Sequence, residues 1–170
     1  MNNKTLRIAA ACVAMLAAAA SHAQGLNKGD QRILKDLAQA NMAEVAAGNI
    51  ALQKATRQDV KAFAQQMVDD HTKGLQAVQA VAQSKNVTLP TEPDARHKKM
   101  AARLAKLSGE AFDQAYLANA GVGDHKAAMQ KVVSAQKKAS DPDVKALAAK
   151  LQPTIDEHFQ KVQVLATEKP

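Results

Sequence analysis

The sequence predicts an all-α protein, a four-helix up-down bundle with a short extra helix in the crossover between helices two and three. Beyond residue 23 the chain is rich in the helix-forming residues Ala, Lys, Gln and Leu, and no stretch alternates with the period of two that strands show. Four long stretches place apolar residues at helical spacing. The block Asp59–Ala64 (DVKAFA) returns as Asp143–Ala148 (DVKALA), which indicates two related helical hairpins.

The first 23 residues have the pattern of a secretory signal. Lys4 and Arg7 supply a positive start, residues 8–20 form an apolar run too short to span a membrane, and residues 21–23 form a small-x-small cleavage site. We predict a cleaved signal peptide over residues 1–23 and a single bundle domain over residues 24–170. The expected location is periplasmic or secreted, with association to the outer membrane left open.

Cysteine usage and charge limit the function classes. Cys12 is the only cysteine and leaves with the signal, so the mature chain has no disulfide and no thiolate ligand. The net charge falls from +7 to +5 because Lys4 and Arg7 are removed as well. The basic residues are spread over every helix and only 2% of residues are aromatic, which argues against nucleic-acid binding. Loose contact with an anionic membrane surface fits the charge, no later transmembrane segment is expected, and the oligomeric state is left open.

Cap signals and apolar stripes give the predicted helix bounds. Thr56 with Asp59 resembles a capping box for helix two, and Asp94 with Pro93 begins the short helix. The predicted bounds are Lys28–Ala55, Arg57–Lys85, Asp94–Leu107 for the short helix, Gly109–Ala139 and Pro142–Thr167.

Three local features of the helices can also be predicted. Gly121 and Gly123 should loosen helix three, and Pro153 should kink helix four. His97 lies among Arg96, Lys98 and Lys99 and is expected to be exposed.

Each long helix has one ionisable residue in the middle of its apolar stripe: Glu44, His71, His125 and His158. Each follows its helix start by 14 to 16 residues, or roughly 21–24 Å at about 1.5 Å per residue. Antiparallel helices of similar length cross at their middles, so the four side chains should meet in the core. Imidazole nitrogen with one carboxylate suits a single transition metal ion: copper, zinc, nickel or iron.

Five further residues are candidates for an outer shell around this centre. An acid precedes each histidine, and Asp70, Asp124 or Glu157 could accept the second ring N–H of a histidine on a neighbouring helix. Met67 and Met129 lie four residues from a histidine on the same helix face. As thioether neighbours they would favour copper, whereas as core residues they would only fill space.

Several short motifs lie along the four helices: Glu44-Val45 with Gly48, Met67–Thr72, Phe112-Asp113 with Tyr116-Leu117, Asp124-His125, and His158. They resemble the bacterial domain of unknown function numbered 4142, a family often described as exported or outer-membrane proteins. The resemblance covers about Asp30 to Leu165. It implies a ferritin-like bundle and brings no established activity.

Ferritin-like bundles often carry a di-iron site with Glu-x-x-His on two helices. Here Val68 and Ile155 stand three residues before His71 and His158, so the bridging carboxylates are missing. A mononuclear site is therefore expected rather than di-iron oxidase chemistry.

Three function classes remain open from the sequence. The first is an exported ferritin-like module that binds a transition metal at the Glu/His centre. The second is a metal-free structural or stress-response envelope protein, in which an ionised Glu44 and a protonated histidine fix helix register. The third is a metal-dependent hydrolase or oxidase. No phosphate-binding loop or His-Glu-x-x-His motif supports an enzyme, and no catalytic residue is assigned.

Overall fold

The computed structural model describes residues 25–168, and the predicted signal peptide lies outside them. The described residues form helices and no strand, so the predicted all-α fold is confirmed, with its short helix in the crossover. The predicted helices all occur, with ends that differ by no more than three residues. The observed elements are α1 Lys28–Lys54, α2 Gln58–Ser84, α3 Ala95–Leu104, α4 Gly109–Tyr116, a π-helix Leu117–Gly123, α5 Asp124–Lys138 and α6 Pro142–Thr167.

The crossover between α2 and α4 sets the directions of the helices. At one end of the bundle, Lys85 after α2 and Asp30 at the start of α1 both contact Asp141 in the turn before α6. The chain therefore returns to the opposite end between residues 85 and 109, and α3 lies within that return. As a result α2 and α4–α5 run in the same direction, each antiparallel to its own hairpin partner.

Buried carboxylates tie each hairpin to the turn of the other. Asp30, 2% exposed, accepts hydrogen bonds from the backbone N–H groups of Ser140 (3.1 Å) and Asp141 (3.0 Å). These N–H groups precede α6 and have no partner within that helix. A side chain of the first hairpin thus accepts the hydrogen bonds of backbone N–H groups in the turn of the second.

Asp113 of α4 has the matching role at the opposite end. It is 1% exposed and accepts hydrogen bonds from the backbone N–H groups of Thr56 (3.1 Å) and Arg57 (3.0 Å), and from the Thr56 hydroxyl. The predicted capping box is therefore wrong: Thr56 bonds to Asp113 across the bundle rather than capping α2 with Asp59.

The core has two apolar halves with a polar layer between them. One half collects residues from the C-terminal part of α1, the start of α2, the α4–π segment and the end of α6. The other collects the opposite ends of these helices. Met67 lies in the first half and Met129 packs against the second, which is where core-filling methionines are expected.

Helix three is not a continuous α-helix. Residues Leu117–Gly123 form a π-helix directly before α5, which confirms the loosening predicted at Gly121 and Gly123. A Cβ on residue 121 would collide with the Val162 side chain, so glycine lets the π-helix approach α6 closely. The predicted kink at Pro153 stays a prediction.

His97 is buried, so its predicted exposure is wrong. The side chain is 4% exposed, and its Nδ1 lies 2.8 Å from the Asp94 carboxylate. The charged neighbours of His97 indicate an exposed face, but α3 packs on α1 and turns His97 inward, as it does Leu104.

Replacing Asp113 with Ala should lower the free energy of unfolding by roughly 3 kcal/mol, because two backbone N–H groups and the Thr56 hydroxyl then lose their acceptor, at about 1 kcal/mol for each hydrogen bond. Asp30→Ala should cost a similar amount. The measurement is urea unfolding followed by circular dichroism, with Glu110→Ala on the exposed face of α4 as the control. A loss at Asp113 no larger than at Glu110 would contradict the capping role.

Candidate metal centre

Three histidines from three helical segments meet in the polar layer. His71 of α2, His125 of α5 and His158 of α6 are at most 7% exposed. Each offers one ring nitrogen, and the three nitrogens lie within 4.8 Å of one another. The ring centroids are 5.4–5.5 Å apart, so the imidazoles form a nearly equilateral triangle.

Asn41 of α1 fixes the ring of His71. The Asn41 amide donates to the carbonyl of Leu37 (2.8 Å), so its oxygen is free to accept from His71 Nδ1 (3.0 Å). A Cβ on residue 74 would overlap this oxygen, so Gly74 makes room for Asn41. The proton on Nδ1 leaves His71 Nε2 as a lone-pair nitrogen.

The π-helix fixes the ring of His125. Its Nδ1 lies 2.8 Å from the carbonyl oxygen of Gly121 and 3.2 Å from that of Ala120. Carbonyl oxygens only accept hydrogen bonds, so Nδ1 carries the proton and Nε2 has the lone pair.

Asp70 fixes the ring of His158 from the neighbouring helix. The nitrogen His158 Nε2 lies 3.1 Å from Asp70 Oδ2. The pKa of Asp70 is lowered although burial raises it, since hydrogen bonds from His158 and Lys73 favour the ionised form. Nε2 therefore donates, and the lone pair of His158 is on Nδ1, which is buried and has no hydrogen-bond partner among residues 25–168.

These assignments leave the centre with acceptors and no donor. His71 Nε2 and His125 Nε2 are 3.4 Å apart, yet neither carries a proton to share. The free Nδ1 of His158 belongs to the same group of rings. Two lone pairs that face each other in a buried site are unfavourable without a hydrogen-bond donor or a cation between them.

Glu44 lies beside this triangle and is not part of it. Its Oε1 is 4.0 Å from His125 Nδ1, the nitrogen already bonded to the π-helix. Its Oε2 is buried and accepts no hydrogen bond from any residue that the structure describes. Burial, and then the charge of Asp124, raise the pKa of Glu44 well above its usual range, with Arg96 opposing.

The three acids that precede the histidines of the centre have different contacts. Asp70 contacts His158 as described, whereas Asp124 bonds to Arg96 (2.9 Å) and lies 3.6 Å from His97. Glu157 is exposed. Asp70 is therefore the one acid of the three that bonds directly to a ring of the centre, that of His158.

Comparison with known proteins agrees with this fold. The profile described as "Domain of unknown function (DUF4142)" matches residues 15–165. The chain belongs to this family. The resemblance seen in the sequence is thereby confirmed, and no curated protein sequence matches the chain.

Solved structures with a similar bundle include a DUF305 fragment from Deinococcus radiodurans, with a TM-score of 0.73, 13% identity, and coverage of 84% of this chain and 97% of that one. CopM is similar in its Cu(I)-bound form, at a TM-score of 0.66, 14% identity and 80% and 94% coverage. The Cu(II)-bound form of CopM has a TM-score of 0.66 and 16% identity, with coverage of 81% of this chain and 95% of that one. Such identities show the fold alone. In the described part of the DUF4142 chain, no helix is long and apolar enough to cross a membrane.

A cavity of about 310 Å³ adjoins the centre of this DUF4142 protein. His71 and His125 line it, together with Asn41 and Glu44, whereas His158 does not. Residues from α1, α2, α3, α5 and α6 form the walls. The centre is thus reached from one side and closed on the other.

Burial keeps the three imidazoles neutral. Burial, and then the nearby His158, lower the pKa of His125 to about 4, although the hydrogen bonds to the carbonyls of Gly121 and Ala120 act in the opposite direction. Burial is also the main cause that lowers the pKa of His71 and of His158. Because neutral imidazole is the ligand form, the folded chain holds these rings ready for a metal at neutral pH.

The metal-free protein should lose stability as the pH falls from 7 to 5. A histidine with a depressed pKa in the folded state takes up protons more readily when unfolded, so its stabilising effect is present above pH 6.5 and is lost towards pH 4. Glu44 contributes in the opposite direction. Its pKa is raised in the folded state, so its contribution to the free energy of unfolding increases as the pH falls. The expected result in urea titrations is a steeper loss for Glu44→Gln than for wild type.

His125→Gln in the Glu44→Gln background should flatten this pH dependence. The carboxylates with lowered pKa values lose their contribution only below their usual range near 4, so they do not interfere between pH 5 and 7. An unchanged slope in the double variant would contradict a neutral, buried His125.

Proposed function

We propose that this protein is an exported bundle protein that binds one transition metal ion through His71, His125 and His158. The observation that supports it most is the set of three lone-pair nitrogens, each with its ring held by a different group. Metal-bound histidines commonly have such partners on the second nitrogen. The chain's own part is to hold three neutral imidazoles in a dry layer, where a bound ion would supply Lewis-acid or redox properties.

Copper is the favoured ion. Three imidazoles without a thiolate suit copper, zinc, nickel or ferrous iron, and Cu²⁺ binds nitrogen ligands most tightly among these divalent ions. The similarity of the bundle to the copper-bound forms of CopM agrees with this choice. Export rests on the signal pattern of residues 1–23.

The alternative is a metal-free structural or stress-response protein of the envelope, whose polar layer fixes helix register. The contacts of His71 with Asn41 and of His158 with Asp70 do join different helices. However, a network selected for register alone should satisfy its members. Buried His158 Nδ1 has no hydrogen-bond partner in the described part of the chain, which favours the metal.

The test is calorimetric titration of the chelator-treated protein with Cu²⁺, Zn²⁺ and Ni²⁺. One ion per chain is expected, with copper bound most tightly. Alanine at His71, His125 or His158 should weaken binding by more than about 100-fold, beyond the 10–100-fold typical of outer partners. His97→Gln is the matched control, because His97 is a buried histidine outside the triangle.

Two results would decide against the metal. If the wild-type protein bound none of the three ions, the metal proposal would be wrong and the metal-free structural role would remain. Histidine variants that keep full affinity while losing about 1–3 kcal/mol of stability for each partner left unsatisfied would lead to the same conclusion.

A further inference from the structure

We propose that the cavity beside the histidine triangle binds a small organic carboxylate, whose anionic group completes the coordination of the metal. This inference rests on the proposed metal binding and adds a second ligand to it. Its basis is the access to the rings, the charge around the cavity and the nature of the cavity walls.

Access is limited to one side of the triangle. His71 and His125 line the cavity, whereas His158 is 0% exposed and does not. Transition metals in such sites commonly take four or more ligands, and the group that the chain offers comprises three nitrogens. Glu44 contacts the outer nitrogen of His125 instead. The cavity is therefore the side from which a further ligand could reach a bound ion.

The charge around the cavity favours an anion. Four basic residues line it against three acidic ones, counting Glu44 as ionised. Lys73 pairs with Asp70, and Arg96 pairs with Asp124. Lys131 and Lys150 have no carboxylate within 4.0 Å among residues 25–168, so these two cations stand against the single carboxyl of Glu44, an excess of one positive charge. A bound divalent ion adds to this positive excess.

The walls indicate an organic ligand rather than an inorganic one. They are largely apolar, with Leu37, Leu151, Ile155 and several alanines from four helices. The cavity of about 310 Å³ is at the lower end of the range of about 300–1,000 Å³ for small-molecule sites. A carboxylate with a compact apolar body satisfies both the walls and the charge.

Calorimetric titration of the copper-loaded protein with benzoate tests this inference, with acetate and uncharged benzamide as comparison ligands. Benzoate should bind about tenfold more tightly than either, since acetate lacks the apolar body and benzamide lacks the charge, a difference near 1.4 kcal/mol. The Cu²⁺ electron paramagnetic resonance spectrum should change on adding benzoate. The metal-free protein should bind benzoate more weakly.

Variants at the two uncompensated lysines provide the second readout. Lys131→Ala with Lys150→Ala should weaken benzoate binding about fivefold, as expected for two partly exposed charge interactions, and leave copper affinity unchanged. Lys137→Ala, exposed on α5 and outside the cavity, is the matched control. If the protein bound copper but showed no preference for benzoate, or if benzoate left the spectrum unchanged, the carboxylate inference would be overturned and the metal proposal would stand. Absence of copper binding would overturn the proposed function and this inference together.

Discussion

The structure of this protein depends on the close approach of three buried imidazoles, with ring centroids 5.4–5.5 Å apart. Bringing them out of water is unfavourable unless each polar atom has a partner. The outer nitrogens receive theirs from the amide of Asn41, the carbonyl of Gly121 and the carboxylate of Asp70. His71 Nε2 and His125 Nε2 face each other at 3.4 Å without a proton to share, which makes this arrangement unfavourable by itself.

The surrounding bundle holds this layer in place from two directions. Apolar halves lie on either side of it and exclude water. At the two ends, Asp30 and Asp113 each satisfy the turn of the opposite hairpin. These two contacts follow the internal repeat, since each carboxylate lies near the start of the first helix of its hairpin. The hairpins are thereby fixed in register, and the histidines they carry meet at one level.

Much of the fold could be predicted from the sequence, because apolar spacing, caps and the repeated block are local signals. The mid-helix positions also placed His71, His125 and His158 correctly at one level. Glu44 is offset from the triangle, and the π-helix, which turns the outer nitrogen of His125 towards Gly121, could not be derived from an ideal helix. Asn41 was missed because a neutral amide gives little signal, although Gly74, three residues after His71, marks the place where it fits. His97 was missed because its burial depends on how α3 packs.

The central claim is the pattern of protons on the three rings, and long-range nitrogen–proton NMR of the metal-free protein at neutral pH tests it most directly. The account predicts that His71 and His125 carry their proton on Nδ1 and that His158 carries it on Nε2, with all three rings neutral. Single-site substitutions would assign the signals. A protonated imidazolium in the triangle, or His158 with its proton on Nδ1, would contradict this pattern and remove the main support for the proposed metal site.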